Sequence, residues 1–150
     1  MQKINDVAEP SVTEAKTARK SLIDVDARMI SDLHWADFEV LADLILALGG
    51  WQRVSVLGET MADIDLIIEQ PALRERTTVQ VKSRASQTVL QDHIRHFQRS
   101  GEKRTLFIWH SPDGALSTEH AQGVHLWTGE ELASVAVKSG LFEWLIDRVG

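Results

Sequence analysis

The chain has 150 residues, 43% of them apolar, with a net charge of −6 and no cysteine. That is enough apolar material for one domain with a genuine core, and it excludes disulfides and thiolate metal sites. No segment is long and apolar enough to span a membrane, and the start, Met1-Gln2-Lys3-Ile4-Asn5-Asp6, runs into acids and not into an apolar leader, so a cytoplasmic location is expected.

The elements follow in order. Residues 1 to about 9 lack periodicity, as loose chain ends do. Ser11-Val12-Thr13-Glu14 has the form of a capping box and predicts a helix to about Met29, packed on the core or on a second subunit. A second helix is expected over 34–48, because Phe38, Leu41, Leu44, Ile45 and Leu48 share a stripe and Gly49-Gly50 supplies a stop. At 100 degrees per residue Glu39 falls between Trp35, Ala42 and Leu46, in a second apolar patch, where a carboxylate usually has a partner. Strands are expected over 51–57, 63–69 and 77–83, followed by a helix over 87–100 with Leu90, Ile94 and Phe97 inward and its arginines outward. Thr105-Leu106-Phe107-Ile108-Trp109 suits a central strand, Pro112-Asp113-Gly114 a turn, and 123–127 a closing strand. Thr128 and Glu131 form a second capping box before a helical region with Leu132, Val135, Leu141, Trp144 and Leu145 on its apolar side.

Chemistry concentrates on the middle strands. In extended chain Val79 and Val81 point to one face, while Gln80 and Lys82 stand together on the other. Lysine and glutamine are poor strand formers and are rarely buried unpaired, so Gln80 and Lys82 near Asp65 suggest a site; a strand with one wet face is the plainer alternative. Charge is also segregated. Residues 74–104 hold eight basic side chains against three acidic ones, +5 in all, leaving −11 for the remainder. Such a basic stretch attracts a phosphate backbone, although a solvated basic helix looks the same in sequence. Arg95 and Arg99 are one helical turn apart and can both face a nucleic-acid strand. His93 and His96 lack a third zinc ligand nearby and read as surface histidines. His110 reads as a strand terminus. No glycine-rich phosphate loop is present, and Trp109, Trp127 and Trp144 lie in apolar runs that suit a core better than base stacking.

Phe38-Glu39 in a helix, Gly50-Trp51 at a strand start, Asp65 leading an apolar strand and Gln80-Val81-Lys82 in the next resemble the PD-(D/E)xK nuclease superfamily, in particular its Mrr-like restriction endonuclease branch. Gly123–Trp127 and Thr128–Ala133 resemble that family's closing strand and helix, so the likeness covers about residues 33–148. One departure is Asp63-Ile64-Asp65, where the family has a Gly-Gly step; Asp63 is a second ligand or a turn residue. The resemblance implies an α/β restriction-endonuclease-like core with a mixed central β-sheet flanked by helices, residues 31–150 forming the nuclease domain behind a partly helical extension, 1–30. It implies a Mg²⁺-dependent endonuclease, Mn²⁺ being a possible substitute, with double-stranded DNA as the favoured substrate and a homodimer or larger complex for cutting both strands. Asp65 is then the chief metal ligand, the Val81 carbonyl completes the inner shell, Gln80 stands where a second carboxylate is usual, and Glu39 holds a metal-bound water. Lys82 orients or deprotonates the attacking water, and Arg84, Arg95 and Arg99 contact nucleic acid. Two other readings stay open: an RNA-cleaving toxin-type nuclease of this fold, and a non-catalytic binding or assembly module.

Overall fold

The computed structural model describes residues 9–59, 63–112, 114–118 and 121–150; the expected loose start over 1–8 and Asp113 of the expected turn lie outside them. The elements are α1 (Pro10–Ser31), α2 (Trp35–Leu48), β1 (Gln52–Glu59), β2 (Asp63–Gln70), β3 (Glu75–Ala85), α3 (Gln87–Ser100), β4 (Thr105–Pro112), β5 (Val124–Trp127), α4 (Gly129–Lys138) and α5 (Phe142–Val149). One five-stranded sheet has the order β1-β2-β3-β4-β5. Its first three strands are antiparallel neighbours, and β3/β4 and β4/β5 are parallel. A parallel neighbour needs a crossover; α3 supplies the one between β3 and β4.

Alternation along the strands sends two sets of side chains to two different cores. Leu66, Ile68, Val79, Val81, Leu106 and Ile108 join α1, α2, α4 and α5 in the larger one. On the other face Phe107 and Trp109 pack with Ala85 and Leu90, under α3. The expected mixed sheet flanked by helices is therefore the observed architecture. Helix α1 docks through its second half: residues 9–21 are exposed, whereas Asp26 and Ile30 are buried as the helix crosses α4.

Three local expectations need correction. The Ser11–Glu14 capping box does not form, because Pro10, whose fixed φ and missing N–H suit the first helical position, starts α1 with Glu9 as the N-cap, two residues before Ser11. The Ser11 hydroxyl instead donates to Glu9 Oε1 at 3.3 Å. Thr128 precedes α4, but its hydroxyl caps nothing and is buried without a partner. Gly129 enters that helix at φ +53°, outside helical backbone, which carries the Thr128 side chain away from the amides it would cap. On α2 the buried residues are Phe38, Leu41, Ala42, Ile45 and Leu46, and Leu48 is 60% exposed. The patch assigned to Glu39's side is thus part of the main core, and the stripe rotates away from Leu48 because α2 meets the sheet with Ala42 and Leu46 as well.

Candidate functional site

In the β2/β3 register Asp65 lies directly opposite Gln80, and Asp63 opposite Lys82. Directly opposed residues of an antiparallel pair share a face, so Asp65 and Gln80 meet, and the Gln80 amide Nε2–H donates to Asp65 Oδ1 at 2.7 Å. Turning the amide over would press two oxygens together at that distance, so the nitrogen must face the acid. Lys82 follows two residues on, half-buried on the same face. Val81 turns its side chain into the opposite core, where it is 2% exposed, leaving only its backbone on the polar side of the strand. The parallel register sets Gln80 beside Phe107 and Lys82 beside Trp109, both fully buried, so the polar groups stand on an aromatic floor.

Beyond Phe107 on this face stands His93 of α3. Its ring meets Phe107 edge-on, with centroids 4.6 Å apart, and its Nε2 lies 2.9 Å from the Thr105 hydroxyl. Thr105 is fully buried and exchanges hydrogen bonds with Thr78: the Thr78 hydroxyl donates to Thr105 Oγ1 at 2.8 Å, and the Thr105 hydroxyl to the Thr78 carbonyl at 3.2 Å. Burial pushes the His93 pKa down to about 4; the negative charge of Asp65 opposes that shift, and His96 and Lys82 add to it. The reading as surface histidines therefore holds for exposed His96 and fails for His93. The signal was in the spacing: His93 follows Leu90 by three residues and precedes Phe97 by four, which puts it on the edge of the buried stripe.

The remaining expected site residues are dispersed. Glu39 is half-buried on α2, a helix that packs against the Val79/Val81 face, whereas Asp65, Gln80 and Lys82 lie on the α3 face. Among the described residues no three His, Cys, Asp or Glu side chains form a cage for a metal. Arg84, Arg95 and Arg99 are exposed, and Arg95 is ion-paired with Asp92 on its own helix. The basic stretch itself divides. Arg74 lies just before β3 and Arg76 near its start, the latter about 20 Å from Lys82 at about 3.3 Å per residue. There Arg76 pairs with Glu102 at 3.7 Å and Arg104 with Glu75 at 3.4 Å, which neutralises part of that end. His110 is structural: its Nε2–H meets the Ile30 carbonyl at 3.0 Å and its ring lies 4.6 Å from Phe38. Burial lowers its pKa, with the Ile30 bond opposing.

The available donors around Asp65 are a carboxylate, an amide oxygen and backbone carbonyls, all hard oxygen ligands of the kind that suits magnesium. Residues 30–136 match a family model for the Mrr catalytic domain, described as a restriction endonuclease. No curated protein matches the chain.

Proposed function

The chain belongs to the Mrr-like restriction endonuclease branch of the PD-(D/E)xK nucleases, and from that membership we propose that it is a Mg²⁺-dependent endonuclease acting on double-stranded DNA. The observation that carries the reading is the Asp65–Gln80 contact at 2.7 Å with Lys82 next along the same face. An acid, a neutral oxygen donor and an ammonium are the groups phosphodiester hydrolysis requires together.

Asp65 and the side-chain oxygen of Gln80 would hold the ion together with the Val81 carbonyl; Glu39, on the α2 side of the sheet, stands apart from this group. When bound, the ion supplies Lewis-acid polarisation of the phosphate and lowers the pKa of water. Gln80 contributes no charge, so the site is one negative charge poorer than an Asp/Glu pair, and Mn²⁺ is expected to support cleavage at least as well as Mg²⁺. Lys82 orients the attacking water and balances the negative charge that grows on the phosphoryl oxygens. Arg84, Arg95 and Arg99 attract the backbone to this side of the sheet, while the acidic remainder of the chain repels it. Cutting both strands takes two such sites, and hence a homodimer or a larger assembly.

The test is a cleavage assay on supercoiled plasmid, linear duplex and single-stranded RNA with Mg²⁺, for wild type beside Asp65→Ala and Lys82→Ala. Both variants are expected to stay folded and to lose at least about a hundredfold in rate. Lys82→Ala should still bind metal, and Asp65→Ala should not. Full cleavage by either variant refutes the assignment; RNA cut in preference to DNA moves the substrate to RNA; no cleavage and no Asp65-dependent metal binding point to a non-catalytic module.

A further inference from the structure

His93 does more than fill the space under α3. Its partner Thr105 favours one ring nitrogen as the carrier of hydrogen. The Thr105 hydroxyl proton is directed to the Thr78 carbonyl, and Thr105 Oγ1 already accepts from the Thr78 hydroxyl. In that hydrogen-bond pattern the Thr105 oxygen meets His93 through its remaining lone pair, which assigns the N–H to Nε2. In the neutral ring that leaves Nδ1 bare, and no hydrogen bond to it is seen among the described residues. The ring is immobilised on both sides that matter, edge-on to Phe107 and hydrogen-bonded to Thr105. Phe107 is the register neighbour of Gln80, and the next residue on the same face of β3 is Lys82. Asp65 and Lys82 both act electrostatically on the imidazole.

We propose that His93 is a positioning residue of the hydrolytic site, its ring clamped by Thr105 and Phe107 so that Nδ1 accepts a hydrogen bond from the Lys82 ammonium. Lysine has three donors on a flexible stem, and a fixed acceptor beside it selects one orientation of the head group. Burial, which pushes the His93 pKa down to about 4, keeps the ring neutral near pH 7, so it gives this acceptor without placing a second positive charge beside Lys82. The inference rests on the nuclease reading for its consequence in catalysis, but its structural core stands apart from it.

Two measurements separate them. In metal-free protein, long-range ¹H–¹⁵N spectra of the imidazoles should show His93 protonated at Nε2 and bare at Nδ1, with the Nδ1 resonance moving in Lys82→Met. A protonated Nδ1, or a resonance indifferent to Lys82→Met, overturns the proposal whatever the protein cleaves. In the cleavage assay His93→Gln places an amide where Nε2 was and loses the Nδ1 acceptor, whereas His93→Asn keeps a polar atom near Nδ1. With melting temperature and KM held, His93→Gln should lose about tenfold or more in kcat, and His93→Asn should recover part of it. His93→Gln cutting at the wild-type rate, both variants falling equally, or a loss confined to KM ends the idea. If Asp65→Ala still cleaves, the nuclease assignment of this site fails instead, and the spectra alone judge His93.

Discussion

Gln80 donates its amide N–H to Asp65 across 2.7 Å, so the residue that stands in for a carboxylate holds its neighbouring acid by a hydrogen bond and not by a shared cation. A glutamate there would repel Asp65, and one of the two would take up a proton. The amide thus stabilises the metal-free strand pair and weakens the driving force for a cation to enter.

Gln80→Glu should reverse both effects. Without metal the variant is expected to be less stable at pH 8 by about 1–3 kcal/mol, the cost of an unsatisfied or repelled partner. With Mg²⁺ that loss should be recovered, and calorimetric Mg²⁺ affinity should rise about tenfold. Unchanged affinity would remove Gln80 from the metal site.

Nucleic-acid contacts are read from salt dependence. With cleavage silenced by Lys82→Ala and no metal present, Arg84→Gln and Arg99→Gln should each reduce the slope of log K against log salt by about 0.9, one phosphate contact apiece. Arg95→Gln should cost less, because Asp92 already engages that guanidinium. Arg74→Gln, at the far end of β3, should leave the slope unchanged; a reduction there would move the binding surface to that end.

Asp26 sits fully buried on α1 with neither carboxylate oxygen hydrogen-bonded, and burial raises its pKa to about 6. The folded state therefore holds this proton more tightly than the unfolded chain, whose value is near 3.8. Stability is greatest below about pH 4 as far as this group is concerned, and it is lost as pH rises through about 6, by an amount on the order of 3 kcal/mol. Asp26→Asn should melt higher than wild type at pH 7.5 and lose the slope between pH 4 and 7. Parallel melting curves for the two proteins across that range would show Asp26 to be solvated.

Gly123 joins the segment after β4 to β5 at φ +78°, and a Cβ there would lie 2.4 Å from the Lys103 carbonyl oxygen and 3.2 Å from Phe97. Its own carbonyl accepts from the Thr105 N–H at 2.9 Å, so the same turn secures the strand that bears the His93 partner. Gly123→Ala should cost about 2–4 kcal/mol by denaturant unfolding, from left-handed strain plus the backbone clash. A loss under about 1 kcal/mol would mean that the turn relaxes.

Periodicity in the sequence fixes what neighbouring residues along the chain decide among themselves. The alternation of Val79, Gln80, Val81 and Lys82, the Leu90/Phe97 stripe of α3 and the run from Thr105 to Trp109 each state which side chains share a face, because pleat and helix pitch are local geometry. The spacing of Phe38-Glu39, Asp65 and Gln80-Val81-Lys82 carried the family as well. Contacts between distant segments are another matter. The β2/β3 register that seats Gln80 on Asp65, the Thr78–Thr105 pair that pins His93, the burial of Asp26 and the separation of Arg74 from Arg84 depend on how strands align and helices dock. No short stretch of chain encodes those distances; they follow from burying two faces of one sheet at once, and only the folded molecule sets them.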